Sequence, residues 1–357
     1  MAINVFVLCG GKSVEHDVSL ISAMGIINSL DRKKYIVTPI YIDKMGSWIS
    51  LGVIEREITS KDDLIASEDK NHTSALNILL DIERTKDKTV VFPALHGTFG
   101  EDGTVQGLLE MLNIPYVGNG VMSSAIAMDK AIAKDLFTFN GIPQCDYIVF
   151  NKRDWNEKQN DVIVRIEDYL RYPCFVKPAR LGSSVGINRA ADPKELVSAV
   201  AEAFLFDDKI VVEKEVIGRE MQISVIGNDY PKSSVVGEFI QERQFMDYKA
   251  KYLDGKLIQV IEANITSSTS EKMRETALRA YEVLNCNGLA RIDFFVCEEE
   301  EFLVNEVNTM PGFTKLSMTP ALWKKTDGTT YSELVDKLID YAFERFDKKN
   351  TLKYDRS

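Results

Sequence analysis

The chain has 357 residues, too many for one hydrophobic core and enough for two or three domains. Apolar residues make up 45% and charged residues 27%, the balance of an ordinary globular protein, and no apolar run approaches a membrane span. The net charge of −11 excludes nucleic acid as a main partner, because a phosphate backbone needs clustered Lys and Arg, but it leaves room for a small phosphate held by a few local cations.

Residues 3–9 form a continuous apolar run, which predicts a strand buried on both faces of a parallel sheet. Gly10-Gly11-Lys12-Ser13 interrupts it. A helix is expected over 18–30, capped by Asp17 or Ser19, and a strand over 35–42. Strand, glycine loop, helix and strand make a βαβ unit, whose ligands sit at the carboxyl ends of the strands. The GGKS sequence is not a P-loop, since the required earlier glycine falls on Phe6. The turn also carries Glu15, His16 and Asp17; an acidic residue there suits a helix start, and Glu15 is kept as a ligand candidate. The five cysteines (Cys9, Cys145, Cys174, Cys286, Cys297) are scattered without a C-x-x-C pair, which predicts buried thiols in a reducing compartment. The start of the chain reads as a strand and not as a signal peptide, so a cytoplasmic protein is expected.

Residues 60–71 read as a polar surface segment. A second buried strand is expected over 89–95, ending in His96-Gly97-Thr98-Phe99-Gly100-Glu101-Asp102-Gly103. Three glycines there fit either a plain connection or a loop whose backbone approaches a ligand. A helix follows over 104–112, a short strand over 114–117, and Gly118-Asn119-Gly120 closes a first unit. Residues 123–140 read as one helical region containing Asp129-Lys130, 147–150 as a strand, and 151–159 as a charged surface turn. A strand over 173–178 carries Lys177 and runs into Ala179-Arg180-Leu181-Gly182-Ser183-Ser184-Val185-Gly186. Such a small-residue loop offers backbone N–H groups beside one cation, which suits polyphosphate, though many such loops are only hairpin turns.

A helix is expected over 193–206 and strands over 210–216, 221–227 and 233–240. The connection QERQFMDYKAKYLDGK, 241–256, is rich in Lys and Tyr and reads as a surface loop or as a lid closing over phosphate. After a helix over 270–284 comes the stretch RIDFFVCEEEEFLVNEVNTMPGFTKLSM. Residues two apart on a strand share a face. A turn centred on Glu299 and Glu300 sets Asp293 opposite Glu306 and Arg291 opposite Asn308. Two carboxylates, an amide and a guanidinium on one face form a hard, oxygen-rich site suited to magnesium and phosphate. A closing helix over 331–346 carries Leu334, Leu338, Tyr341 and Ala342 on one apolar face.

Taken in order, CGGKSVEHDVSL, ALHGTFGEDGTVQG, AMDK, FVKPARLGSSVGI, VVEKEVIGRE, MDYKAKY, ARIDFFV and NEVNTMPGFTKLSM resemble the D-alanine–D-alanine ligases of the ATP-grasp superfamily. The resemblance covers essentially the whole chain. It implies an α/β and α+β architecture, the three-domain ATP-grasp fold with an N-terminal parallel-sheet α/β domain over 1–120. A central ATP-grasp domain over 121–213 and a C-terminal one over 214–357, with lid 241–256 and the metal site, would follow. It implies ATP-dependent joining of two D-alanines through an acyl phosphate for peptidoglycan synthesis, with two Mg2+ ions that Mn2+ can replace, in a homodimer. The alternatives are a D-alanine–D-serine or D-alanine–D-lactate ligase, or another ATP-grasp carboxylate–amine ligase.

By the same resemblance Glu15 binds the ammonium of the first D-alanine, His96 lines that pocket, and Ser183 and Tyr252 complete a hydrogen-bonded set with Glu15. Arg291 and the Gly312 N–H stabilise the tetrahedral intermediate. Ser317 and the Met318 backbone hold the second D-alanine. Lys130 and Lys177 meet ATP phosphates, Lys251 the γ-phosphate, and Lys214 the adenine region. Glu213, Val216 and Glu220 line the adenosine pocket, and Asp293, Glu306 and Asn308 hold the metal. Leu181 and the lid residue Met246 depart from some members. Tyr252 and the apolar Met318 favour D-alanine as second substrate.

Overall fold

The computed structural model describes residues 2–66, 75–85, 88–240, 258–314 and 317–354. The expected lid, with Met246, Lys251 and Tyr252, lies outside them. Three sheets organise the described residues.

The first sheet holds β1 (Ile3–Gly10), β2 (Tyr35–Ile42), β3 (Trp48–Ser50) and β4 (Thr89–Pro93) in the order β3-β2-β1-β4. β1 pairs in parallel with both β2 and β4. Its Val5, Val7, Leu8 and Cys9 are fully buried, as a central parallel strand requires. Helices α1 (His16–Ser29), α2 (Ala75–Arg84) and α3 (Thr104–Met111) complete this layer. The expected strand over 114–117 is only a single parallel bridge between Val91 and Tyr116.

The expected helix over 123–140 is two: α4 (Val121–Met128) and α5 (Lys130–Phe139). Asp129 leaves the helical region, with ψ 96°, and its carboxylate caps the N–H groups of Ala131 and Ile132. The second sheet is antiparallel, β5 (Tyr147–Asn151), β6 (Cys174–Pro178), β7 (Asn188–Ala190) and β8 (Lys209–Lys214) in the order β5-β8-β6-β7. The expected turn over 151–159 is instead the start of α6 (Lys152–Tyr169), capped by Asn151 and anchored by buried Trp155, Val162 and Ile166. Long charged side chains are good helix formers, and three apolar anchors are enough to seat the helix on the sheet. Helix α7 (Pro193–Ala203) covers the same core.

The third sheet runs β12 (Ile258–Ile261), β11 (Gly237–Ile240), β9 (Arg219–Gly227), β13 (Gly288–Val296), β14 (Phe302–Asn308), with β10 (Lys232–Ser233) on β9. Helix α8 (Ser267–Val283) packs on one face, where Ala290, Ile292, Phe294 and Val296 of β13 join its Met273, Ala277 and Ala280. Then come α9 (Met318–Asp327) and α10 (Tyr331–Asn350). α10 touches β9 and β13 of the third sheet and also returns to the first layer. Its Leu334, Val335, Leu338, Ile339 and Ala342 enter the core of the first sheet beside Val5, Val7 and Ile26.

Candidate active site

The site is assembled where loops from the three sheets meet. From the first come the turn after β1 and the loop after β4, both at the carboxyl ends of parallel strands. The helix that starts there is not capped by Asp17 or Ser19. It begins after Glu15, which makes no side-chain cap bond. The Glu15 carboxylate, 8% exposed, instead accepts the hydroxyl of Ser183 from the loop between β6 and β7. Ser19 donates to the Ala94 carbonyl at 2.5 Å and accepts from the Gly10 N–H at 2.8 Å, tying the two loops together.

Two glycines make room for Glu15. A Cβ on Gly97, whose φ is +73°, would stand 2.6 Å from Glu15 Oε2 and 2.7 Å from Ser13 Oγ. One on Gly182 would stand 3.2 Å from the same oxygen. At these two glycines the backbone approaches the Glu15 carboxylate more closely than a side chain would allow.

His96 is buried behind this pocket. Its Nδ1 faces the Met310 carbonyl at 3.0 Å and Glu101 Oε1 at 3.2 Å, while Nε2 lies 2.8 Å from the Ser22 hydroxyl. Nδ1 therefore carries the proton, since both groups facing it accept. Burial works against the charged imidazole, but the Glu101 carboxylate outweighs it and holds the His96 pKa above its ordinary value. Ser22 also accepts the Phe313 N–H at 3.2 Å. Asn119 Nδ2 donates to the Thr309 carbonyl at 2.8 Å and to that of Leu289. The loop 309–314, which carries Gly312, is thus held by side chains from the first half of the chain. Ser22, Glu101 and Asn119 in these positions were not legible in the sequence; Ser22 and Asn119 find partners on distant elements, and Glu101, five residues from His96 in the same loop, was marked only by its place among the glycines.

The second and third sheets supply the charged cleft. Lys130 opens α5, its own N–H donating to the Ala179 carbonyl at 2.9 Å and its Nζ to that of Leu181 at 2.8 Å. The same ammonium lies 3.7 Å from Glu306. Lys177 and Glu213 are diagonal neighbours on β6 and β8, because Phe175 is directly opposite Glu213. Lys177 Nζ meets Glu213 Oε2 at 2.5 Å, and Lys134 of α5 approaches Oε1 at 3.2 Å. Burial alone would raise the Glu213 carboxyl, but the two lysines hold it down at about 2. Lys130, Lys177, Ser183, Glu213, Lys214, Val216, Glu220 and Glu306 line one concave cleft.

The hairpin of β13 and β14 closes that cleft. Arg291 pairs with Asn308 and Asp293 with Glu306, as expected. The route differs from the expectation, however. The turn end pairs Val296 with Phe302, Phe295 with Leu303 and Phe294 with Val304, one residue out of step. A β-bulge between Asp293 and Phe294, opposite Asn305, restores the register and puts the four polar groups on one face. Arg291 Nε and Nη2 each donate to Asp293 at 2.7 Å, and Asn308 Nδ2 donates to Asp293 Oδ2 at 3.1 Å. Ser317 Oγ accepts the Thr314 N–H at 2.9 Å at the entry to α9, and Met318 is buried. The residues assigned from the sequence that fall within the described chain therefore converge on one region.

Two family models match the chain: "D-ala D-ala ligase N-terminus" over residues 4–119 and "D-ala D-ala ligase C-terminus" over 136–340. A D-alanine–D-alanine ligase from Bacillus cytotoxicus is 46% identical, the match covering 99% of each chain. Among solved structures, the VanG D-Ala:D-Ser ligase from Enterococcus faecalis superposes with a TM-score of 0.81 at 32% identity, over 96% of this chain and 100% of that one. The D-alanine–D-alanine ligase from Bacillus anthracis complexed with ATP gives 0.73 at 29% identity, over 98% and 100%. With both halves matched by the family's models and nearly its whole length by a relative of this identity, the chain belongs to the D-alanine–D-alanine ligase family.

Proposed function

We propose that the protein joins two D-alanines into D-alanyl-D-alanine with ATP, releasing ADP and phosphate, for peptidoglycan precursor synthesis. The observation that carries the reading is the single polar face of the β13–β14 hairpin. Arg291, Asp293, Glu306 and Asn308 stand together there, and Lys130 reaches across to Glu306.

In this reading the ammonium of the first D-alanine binds Glu15, which Ser183 orients, in a pocket backed by His96. Its carboxylate oxygen attacks the γ-phosphorus; that P–O bond forms as the bond to the β–γ bridging oxygen breaks, and ADP leaves. The amine of the second D-alanine then attacks the activated carbonyl. The C–N bond forms, a proton leaves the nitrogen, and the C–O bond to phosphate breaks. Most of the catalysis is placement and charge stabilisation. The planar fork of Arg291 suits the oxyanion and phosphoryl oxygens, and the Gly312 N–H adds a donor. Ser317 and the Met318 backbone hold the second carboxylate. Lys130 and Lys177 take the phosphates, while Lys214, Glu213, Val216 and Glu220 surround the nucleoside. Lys251 and Tyr252 would act from the lid.

Asp293, Glu306 and Asn308 fit magnesium chemically. Two carboxylates and an amide oxygen are hard, few, and leave room for phosphate oxygens. Asp293 already engages a cation through both oxygens, that of Arg291. Bound there, Mg2+, or Mn2+ in its place, would neutralise phosphate charge. A division at 1–120, 121–213 and 214–357, a homodimer and a cytoplasmic location belong to the same reading.

The test is phosphate release with ATP, magnesium and D-alanine, followed by product analysis, then with D-serine or D-lactate added. Release and dipeptide with D-alanine alone are expected. No release overturns the reading; release only with an added D-serine or D-lactate reassigns the second substrate.

A further inference from the structure

Lys134 is the most buried lysine side chain among the described salt bridges, at 2% exposure, and nothing in the reaction above uses it. It sits one turn after Lys130 on α5, facing the sheet instead of the cleft. Around it are Glu213 Oε1 at 3.2 Å, Cys145 Sγ at 3.5 Å and the ring of Tyr147, its centroid 5.4 Å away. A desolvated ammonium is costly to keep, and one carboxylate would suffice for one lysine. Here Glu213 is shared by two, Lys134 on Oε1 and Lys177 on Oε2.

Charge counting gives this arrangement a purpose. Lys177 borders the cleft, whereas Lys134 lies behind it. Lys130 lies 3.7 Å from Glu306, and Lys214 and Glu220 add one charge of each sign to the cleft lining. If Lys177 alone faced Glu213, that pair too would be neutral. With Lys134 behind, the three-residue cluster keeps one positive charge next to the cleft. We propose that Lys134 is a positioning residue for the nucleotide: it takes half of Glu213 from behind, so that Lys177 keeps a net charge for a phosphate group. The proposal rests on the reading of this cleft as the ATP site.

A double-mutant cycle tests it, with KM for ATP, KM for D-alanine and kcat measured on the full-length protein. Lys134→Met should raise KM for ATP about tenfold or more and leave KM for D-alanine within about twofold, since one charge near phosphate is worth on the order of a factor of ten. Lys134→Met with Glu213→Gln restores the single charge on Lys177 and leaves no buried carboxylate. Its KM for ATP should fall below that of Lys134→Met alone. A structural role predicts the opposite, a double variant at least as impaired as either single one, and that result overturns the proposal. So does an unchanged KM for ATP in Lys134→Met. Should Lys134→Met fail to fold, Lys134→Gln keeps a donor for Glu213 without the charge and is held to the same two criteria. The wild-type protein run alongside separates the two ideas: no ATP-dependent turnover there defeats the ligase reading, while normal turnover with additive variants defeats only the role of Lys134.

Discussion

Gly97 shows how tightly single residues are specified in the pocket. Any side chain there meets Glu15 and Ser13 at under 3 Å in a left-handed backbone conformation. Gly97→Ala should displace the Glu15 carboxylate and raise the KM for the first D-alanine at least about tenfold, as a misplaced ligand does. Its nucleotide affinity should be unchanged; equal losses in both would contradict the assignment. Arg291 makes a different prediction. Its fork already holds Asp293, so Arg291→Ala removes both the proposed oxyanion donor and the partner of a carboxylate proposed to hold the metal. kcat should fall by about 10²–10³ or more, while ATP binding measured by calorimetry largely survives. Retained turnover would remove Arg291 from the reaction.

At the scale of elements, the β13–β14 hairpin brings the four polar residues together beyond a bulge. Alternation alone identified the four polar residues, because side chains two apart share a face. It could not show that the turn end is one residue out of step and that Asn305 takes up the difference. Deleting Asn305 should therefore straighten the hairpin, judged by circular dichroism and melting temperature, and leave Asp293 opposite Glu306 and Arg291 opposite Asn308, so that magnesium-dependent turnover persists. Lost turnover in a folded variant would mean that the site depends on the bulge itself and not on the shared face alone. The same limits explain what else the sequence did and did not disclose. Buried strands such as β1 and β2 were legible from continuous apolar runs ended by glycine. The break at Asp129 was hidden because Asp caps a helix as readily as it sits inside one. Helix α6 was hidden because its first two turns expose nearly all their charged residues and only Trp155 is buried there. Glu15 and Ser183 were joined only through the family resemblance, since 168 residues separate them and no local pattern encodes that contact.

Across the whole molecule, buried charge and a returning helix set the stability. Glu213 is held at about 2 in the folded protein, below its ordinary value of 4.5. A depressed carboxyl stabilises the fold above its unfolded pKa, and that contribution disappears as pH falls from about 4.5 toward 2. Acid unfolding of the wild type should accordingly steepen in this window, and the double variant lacking Lys134 and Glu213 should show a shallower acid limb by fluorescence. An identical limb would mean that the cluster does not govern acid stability. Helix α10 buries four large aliphatic side chains in the first sheet's core. At about 1.5–3 kcal/mol each, they match much of a net stability of about 5–15 kcal/mol. Removing residues from 331 onward should abolish hydrogen-exchange protection in β1 and β4, while retained protection there would show that the first layer stands without the helix.

That helix has a consequence for how the protein is made. The ribosome delivers β1 to β4 first, yet the apolar face that α10 covers stays open until nearly 240 further residues have been added. During that interval the earliest-made layer lacks the apolar side chains that α10 adds to its core, and the surface they cover is open to solvent or to a chaperone. Completion of the first layer is therefore timed by the last helix to emerge, not by the first strands.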